Sequence, residues 1–546
     1  MVSRRDFLKT AALSAGALAI PSVLISQELK KTVVPLPPKY NLPYKNTYNK
    51  EPLVTENPYR GAASLITTPP PFAQAKERLP LPVWEGHDKE VEMYWKAWEI
   101  AFKNIRAPQP DSGFVSSYID TAYNGNVFMW DSSFITMFAR YGTQVFPFQN
   151  TLNNFYAKQH PDGFICREIK SDGADCFERY DPVSTGPNLL PWSEMVYYHS
   201  FGDTERLQNI FSALSAYYKW LRLNHTWRDG TYWSSGWGTG MDNMPRVQAK
   251  YNPIYSNGHM VWLDTNLQQI FVANQLLDMG FYTERWQEIE DFEDEAKQLT
   301  EYTRKYLWSP KEQFLFDRYS DGSLCPTKGI GAFWALHTNV LSKGELDQFV
   351  ENLNNPKTFN RKYRVPSLSA DNEKYKDNGR YWQGGIWAPT NYMVLTGLHS
   401  KGYNDLAYEI AVNHYEQIFE VYKKTGTFFE YYAPESAEPG FLARPDFVGW
   451  TGLPPIAVFL EYILGINSDF TKGTIEWRIN QTEEHGVNRY PFGMEGSISM
   501  ICKKRSSKRE KPTLEIDSNV AFSLLVIWGS NSKTIAVEKG KNEYLV

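Results

Sequence analysis

The sequence predicts a mainly α architecture, a toroid of helical hairpins followed by a small C-terminal β-sandwich. Amphipathic stretches of helical period recur between about residues 91 and 464, roughly in pairs and with long loops between them. After about residue 467 that period gives way to short alternating, β-rich runs. The 546 residues leave room for one large domain and a smaller one, with ample length for a buried core.

The chain begins with SRRDFLK at residues 3–9, an arginine pair followed by an apolar run to Ile20 and Pro21. This reads as a twin-arginine export signal, too short for a membrane span. Residues 1–29 are expected to be a signal peptide, and the protein to be periplasmic or secreted with no membrane contact after its removal. Residues 30–85, rich in Pro, Tyr and Asn, read as an extended arm over the main domain.

Residues 86–466 are expected to form the helical domain. Val91, Trp95, Trp98, Phe102 and Ile105 fall on one helical face. Further helices are expected at 134–141, 189–201, 204–223, 259–279, 284–307, 331–341, 385–398, 404–422 and 453–464. Asp203 is placed to cap the helix that carries Leu207, Ile210, Phe211, Leu214 and Tyr217. Gly280 and Gly397 fit helix ends. The segment WSPKEQFLFDRYSDGSLCP, residues 308–326, reads as a small strand pair turning at Ser320, Asp321 and Gly322. Residues 467–546 are expected to be the β-sandwich, with strands at 474–478, 496–502, 514–516, 521–528 and 534–537. The basic run KKRSSKREK, residues 503–511, reads as a solvated hairpin loop between two of them.

The composition bears on function. The net charge of −5 offers no basic excess for nucleic acid. Aromatics make up 15% of the chain, with 18 Trp and 34 Tyr, a surplus that suits the CH-rich faces of sugars although most of these rings must fill the core. Cys166, Cys176, Cys325 and Cys502 form no CxxC pair, and the histidines no HExxH pattern, so no cofactor is expected. Cys166 and Cys176 either pair or stay free and buried. Asp317 and Asp321 are weaker as calcium ligands than as turn residues.

The segment SGWGTGMDNMPR, residues 235–246, sets one carboxylate, Asp242, in glycine-rich turns with Asn243 and Arg246 behind it. Glu430 sits in a comparable aromatic setting, GTFFEYYAPES. Two isolated acids among aromatics suggest acid–base work on a carbohydrate. Arg246 is expected to face substrate or another carboxylate. Arg167 either binds a substrate group or pairs with Glu168 or Glu178, and Trp192 sits at a loop–helix edge expected to face the same end of the toroid.

Four segments follow in order: VFMWDSSF at 127–134, SGWGTGMDNMPR, YWQGGIWAPTNY at 381–392, and the pair FFEYY at 428–432 and FVGWTGL at 447–453. Together they resemble the signatures of the trehalase, glucosidase and mannosylglycerate hydrolase group, glycoside hydrolase families 37 and 63, over about residues 85–465. The resemblance implies an (α/α)6 toroid of helical hairpins. It implies an exo-acting hydrolase of α-linked oligosaccharides that inverts the anomeric centre, with Asp242 as general acid and Glu430 as general base. Trp130, Asp131, Trp237, Asn243, Trp382, Gln383 and Trp387 would line the sugar subsite, and Trp450 would buttress the loop. Inversion needs room for a water, so the carboxyls should stand about 6.5–9.5 Å apart. Asp242 must hold its proton by partial burial near Trp237 and Met241, while Glu430 must stay ionised. The chain departs from the group at Met244, where Ser is usual, and in the approach SSYIDTAYNGNVFMWD, which lacks the Arg-rich pattern of trehalases. The expected partner is an oligosaccharide or polysaccharide fragment. A lyase, rhamnosidase or unsaturated-uronide hydrolase on the same toroid, or a non-catalytic sugar-binding protein, are the rival readings.

Overall fold

The computed structural model describes residues 50–546, so the export signal and the first part of the arm lie outside the described residues. The hairpins alternate between outer and inner helices. Helix α1 (Asp88–Lys103) is outer and α2 (Met129–Ala139) inner, followed by outer α3 (Asn153–Ala157) with the 3-10 turn Phe148–Leu152 leading into it. Then come α4 (Leu190–Phe201, inner), α5 (Thr204–Asn224, outer), α6 (Leu263–Tyr282, inner) and α7 (Asp291–Tyr306, outer). The 3-10 helix Ile330–His337 takes the next inner place and α8 (Lys343–Val350) the outer one. The ring ends with α9 (Ala388–Ser400, inner), α10 (Asn404–Thr425, outer) and the inner π-helix Leu453–Ile463.

The six inner helices close on themselves: α2 packs on α4, α4 on α6, α6 on Ile330–His337, that on α9, α9 on Leu453–Ile463, and this last back on α2. The result is the (α/α)6 toroid. Each inner helix is walled on several sides, so all but one residue of α2 are buried, and its apolar residues are spread round the whole circumference. The outer α7, by contrast, buries only Phe292, Ala296, Leu299 and Thr303, a single stripe at helical spacing. Where α2 ends, Arg140 reaches the buried Glu461 at 2.6 Å, and the hydroxyls of Tyr141 and Tyr392 donate to the same carboxylate at 2.8 and 2.9 Å. A cation at a helix C-terminus complements the dipole there.

Most expected helices are present, with shifted edges. The stretch 134–141 begins earlier, at Met129, because the WDSSF motif is itself the first turn of α2. The stretch 284–307 is split: Glu284 takes a left-handed φ of 59°, a 3-10 turn spans Trp286–Ile289, and α7 starts at Asp291. Two outer helices, α3 and α8, are absent from the sequence-based list. Asp203 caps α5, its side chain accepting from Arg206 N at 2.9 Å. Gly280 and Gly397 are not helix ends. Gly397 lies inside α9, where an added Cβ would stand 2.6 Å from the Leu336 Cβ, so its smallness serves close packing between neighbouring inner helices. The strand pair Trp308–Ser309 with Phe314–Leu315 turns at 310–313, while Gly322 at φ 87° closes a separate bridge between Arg318 and Leu324.

The arm is tied down over its described part. Asn57 Nδ2 donates to Tyr156 O at 2.9 Å, and Leu53 and Val54 bury against Ala216. It is not wholly extended: short helical turns form at Pro52–Glu56 and Phe72–Lys76. It then supplies a strand that the periodicity did not reveal, β1 (Leu81–Trp84). The remaining strands are β2 (Ile466–Asp469), β3 (Thr474–Arg478), β4 (His485–Phe492), β5 (Gly496–Cys502), β6 (Thr513–Ser518), β7 (Phe522–Trp528), β8 (Asn531–Val537) and β9 (Gly540–Leu545). They form one sheet of order β1-β4-β5-β6-β9 and a second of order β8-β7-β3-β2. Alternation is regular in β7, where Phe522, Leu524, Val526 and Trp528 are buried. The basic run links antiparallel β5 and β6. All four cysteines are free thiols.

A Gly397→Ala substitution is expected to destabilise the fold by about 1–3 kcal/mol through overpacking against Leu336, read as a lower midpoint in urea unfolding.

Candidate active site

The segments that lead into four of the inner helices line one cavity of about 430 Å³. Trp130 and Asp131 stand in the first turn of α2, Pro187 precedes α4, Trp387 caps α9, and Trp450 precedes the π-helix. The positive ends of several helices therefore point toward this cavity.

Asp242 is delivered by a tight local fold. Ser235 Oγ accepts from Gly238 N at 3.0 Å to cap the single turn Gly236–Thr239, and Gly240, at φ 70°, ends it in the left-handed conformation. Gly236 permits a close crossing, since a Cβ there would lie 2.3 Å from Pro253 O and 2.6 Å from Asp242 O. Glu430 is held through its backbone. Its N–H donates to Arg444 O at 3.0 Å and its carbonyl accepts from Trp450 Nε1 at 2.8 Å, while the next turn of chain pairs Tyr432 with Ile386. An aromatic stack backs one wall of the cavity: Trp382 lies flat on Trp387 at 4.1 Å, and Trp387 on Tyr431 at 4.5 Å.

Four carboxyls line the cavity: Asp131, Glu168, Asp242 and Glu430. Burial raises Asp242 to about 6, opposed by the charge of Arg167 and by hydrogen bonds from Tyr381 and Trp237. Burial raises Glu430 to about 7, opposed by Arg444 and reinforced by the charge of Asp242. Asp131 is pushed well above the usual carboxylate range, again by burial, with Arg167 pulling against it. Burial thus favours the protonated form of both Asp242 and Glu430 rather than of Asp242 alone. The charge of Arg167 acts on Asp242 and that of Arg444 on Glu430, each against the burial.

The structure sorts the sequence-predicted residues. Trp130, Asp131, Arg167, Trp237, Asp242, Trp382, Trp387, Glu430 and Trp450 all line the cavity. Arg167 makes neither expected ion pair. Its Nε donates to Val183 O at 2.7 Å, and its guanidinium lies 4.6 Å from the Phe177 ring and 5.5 Å from Trp237. Four residues are placed elsewhere. Arg246 points away from the cavity and is consumed by two buried carboxylates, donating to Asp264 at 2.7 Å twice and to Asp317 at 2.8 and 2.7 Å, with Trp262 4.5 Å beneath it. Its second alternative, another carboxylate, is the one found, and Asp317 is thereby occupied. Trp192 is packed among Phe134, Phe271 and Trp334 inside the inner ring. Asn243 and Gln383 join two loops to each other: Asn243 Oδ1 accepts from Trp382 N at 2.8 Å, its Nδ2 donates to Arg380 O at 3.3 Å, and Gln383 Nε2 donates to Asn243 O at 3.2 Å. Tyr381 between them is held at φ 59°.

Sequence reasoning missed Tyr381, which hydrogen-bonds Asp242, and Arg444, the cation nearest Glu430. Tyr381 lay within a quoted motif. Arg444, in FLARPDF, carried no motif signal. Among the described residues, no group of three or more His, Cys, Asp or Glu is arranged to hold a metal.

A ring of six inner helices with carboxyls gathered in an aromatic-walled cavity defines a six-hairpin glycoside hydrolase. The comparisons agree. Residues 124–451 match the family model described as the mannosylglycerate hydrolase MGH1-like glycoside hydrolase domain, and the chain belongs to that family. It is 21% identical over 423 residues to an uncharacterized protein of Borreliella burgdorferi, covering 75% of this chain and 86% of that one. It is 23% identical over 282 residues to a probable mannosyl-oligosaccharide glucosidase of Schizosaccharomyces pombe, covering 45% of this chain and 34% of the relative. The fold is shared with the GH63 mannosylglycerate hydrolase of Thermus thermophilus in complex with glucose, with a TM-score of 0.55 at 20% identity over 67% of this chain and 99% of that one.

The raised carboxyls carry a stability cost with a definite sign. Glu430 favours the folded state in its protonated form; that contribution is full below its ordinary value of 4.5 and is lost as pH rises through about 7. Glu430→Gln is therefore expected to stabilise the protein at pH 8, on the order of 2 kcal/mol, and to leave it nearly unchanged at pH 4, measured by thermal unfolding at both pH values.

Proposed function

We propose that this protein is an exported, exo-acting glycosidase that cleaves α-linked oligosaccharides with inversion, using Asp242 as general acid and Glu430 as general base. The observation that carries the reading is the placement of these two carboxyls in one aromatic-walled cavity, both held well above their ordinary range. Hydrolysis with inversion needs a proton delivered to the leaving oxygen and a water activated on the opposite face of the sugar.

Coupled groups at about 6 and about 7 carry a single proton between them over that window. The reaction requires it on Asp242. A sugar hydroxyl or the attacking water donating to Glu430 favours the charged form of that carboxyl and sends the proton toward the acid. Tyr381 and the Trp237 indole hydrogen-bond Asp242, orienting it and stabilising the carboxylate left after transfer. Arg167 sits where it can donate to a sugar hydroxyl beside Asp131. Relatives are named as mannosylglycerate hydrolases and mannosyl-oligosaccharide glucosidases, which supports an α-mannosyl or α-glucosyl unit as the glycone. The twin-arginine signature at residues 3–9 supports export to the periplasm or beyond.

An oligosaccharide panel followed by proton NMR of the first anomer released tests substrate and stereochemistry together, with the β-anomer expected from an α-linked substrate. Asp242→Asn and Glu430→Gln are each expected to lower kcat by roughly 10²–10⁴-fold, and wild-type turnover in either variant overturns the assignment. The kcat/KM profile is expected to be bell-shaped with its maximum between about pH 6 and 7.

A further inference from the structure

The mouth of the cavity has an unusual surface. Tyr123, Tyr255 and Phe441 are 48%, 49% and 45% exposed, and each is tied to a cavity wall. Tyr123 lines the cavity itself, with the Arg444 guanidinium 3.7 Å from its ring. Tyr255 meets the wall residue Trp237 edge-on at 5.1 Å. Phe441 is anchored by its carbonyl, which accepts from the Tyr431 hydroxyl, and Tyr431 stacks on the wall residue Trp387 at 4.5 Å. Arg380, next to the wall residue Tyr381, lies 6.0 Å from the Phe441 ring. Among the described residues neither Arg380 nor Arg444 forms an ion pair.

Half-exposed aromatic rings beside a sugar-sized cavity suit the CH-rich faces of further sugar units. A guanidinium lying on a ring keeps its in-plane N–H groups free, and a pair of such donors matches the vicinal hydroxyls of a pyranose. Behind the lining residue Trp130, the rings of Phe134, Trp192 and Trp334 pack on one another inside the toroid, so a chain of sugars bound at the carboxyls extends outward, toward the exposed rings. We propose that the rim formed by Tyr123–Arg444, Phe441–Arg380 and Tyr255 is a leaving-side binding platform that takes a glycan of at least three units, rather than a disaccharide or a sugar on a small aglycone. This deepens the proposed function and rests on it.

The experiment uses the Asp242→Asn/Glu430→Gln double variant, which keeps the rim, titrated calorimetrically with α-linked gluco- and manno-oligosaccharides of two to five units. Affinity is expected to rise by about tenfold or more from two units to four in one of the two series. Adding Phe441→Ala and Tyr255→Ala is expected to abolish that gain, and Phe441→Tyr with Tyr255→Phe to restore it. Equal affinity across lengths, absence of binding in both series, or a length gain that survives the alanine substitutions overturns the proposal. Failure of the underlying reading shows separately, as hydrolysis of the panel by the double variant.

Discussion

Closing six helices into a ring removes the solvent-facing side from every one of them. An inner helix such as α2 touches two inner neighbours and its outer partner, so it can carry polar groups only where they find partners inside or where the helix ends. The ends are therefore where the chemistry collects. At the ends where α2, α4, α9 and the π-helix begin, positive dipole ends lie toward the cavity that holds Asp131, Asp242 and Glu430. Beyond the C-terminus of α2, the Arg140–Glu461 pair with two tyrosine hydroxyls seals the barrel interior.

The cavity is a balance of opposed charges in apolar walls. Asp131, Asp242 and Glu430 would repel one another if all were ionised, and burial already disfavours their charge. Arg167 and Arg444 are divided between them, one near Asp131 and Asp242 and the other near Glu430. Arg246 is kept out of this balance by Asp264 and Asp317, behind the acid loop. That separation lets Asp242 sit four residues from a permanent cation and still be raised to about 6. Removing either partner of such a buried cluster leaves an uncompensated charge, so the loop carrying Asp242 is bound firmly to α6.

What was legible in the sequence follows from what periodicity and motifs encode. Motif residues such as Trp130, Asp242, Trp387 and Glu430 come together because each motif marks one loop entering an inner helix. Which side of a loop faces the cavity is not encoded in order. Asn243 follows Asp242 directly, yet turns to bond Trp382 N and Arg380 O, and Trp192 turns into the ring where α4 meets its neighbours. Arg444 escaped notice because its role depends on Phe428–Tyr432 and the 441–447 loop lying side by side, a bridge between Phe429 and Pro445 that no local pattern announces. The short α3 and α8 fall below the length at which a helical period stands out, and β1 is four residues beside prolines.

Strand β1 pairs antiparallel with β4, joining Leu81 to Asn488 and Trp84 to His485 across about 400 residues of intervening chain. The polypeptide thus enters the toroid from the edge of a sheet whose other strands are synthesised after the ring. Such a clasp has a high cost in chain closure and is made late, once the ring lies between its two halves. A nascent chain cannot make it until β4 has been synthesised, so the finished sheet reports that every helix of the ring has already been made. The arm and the sandwich are locked together by main-chain hydrogen bonds, and loosening either strand frees both the arm and the sandwich edge.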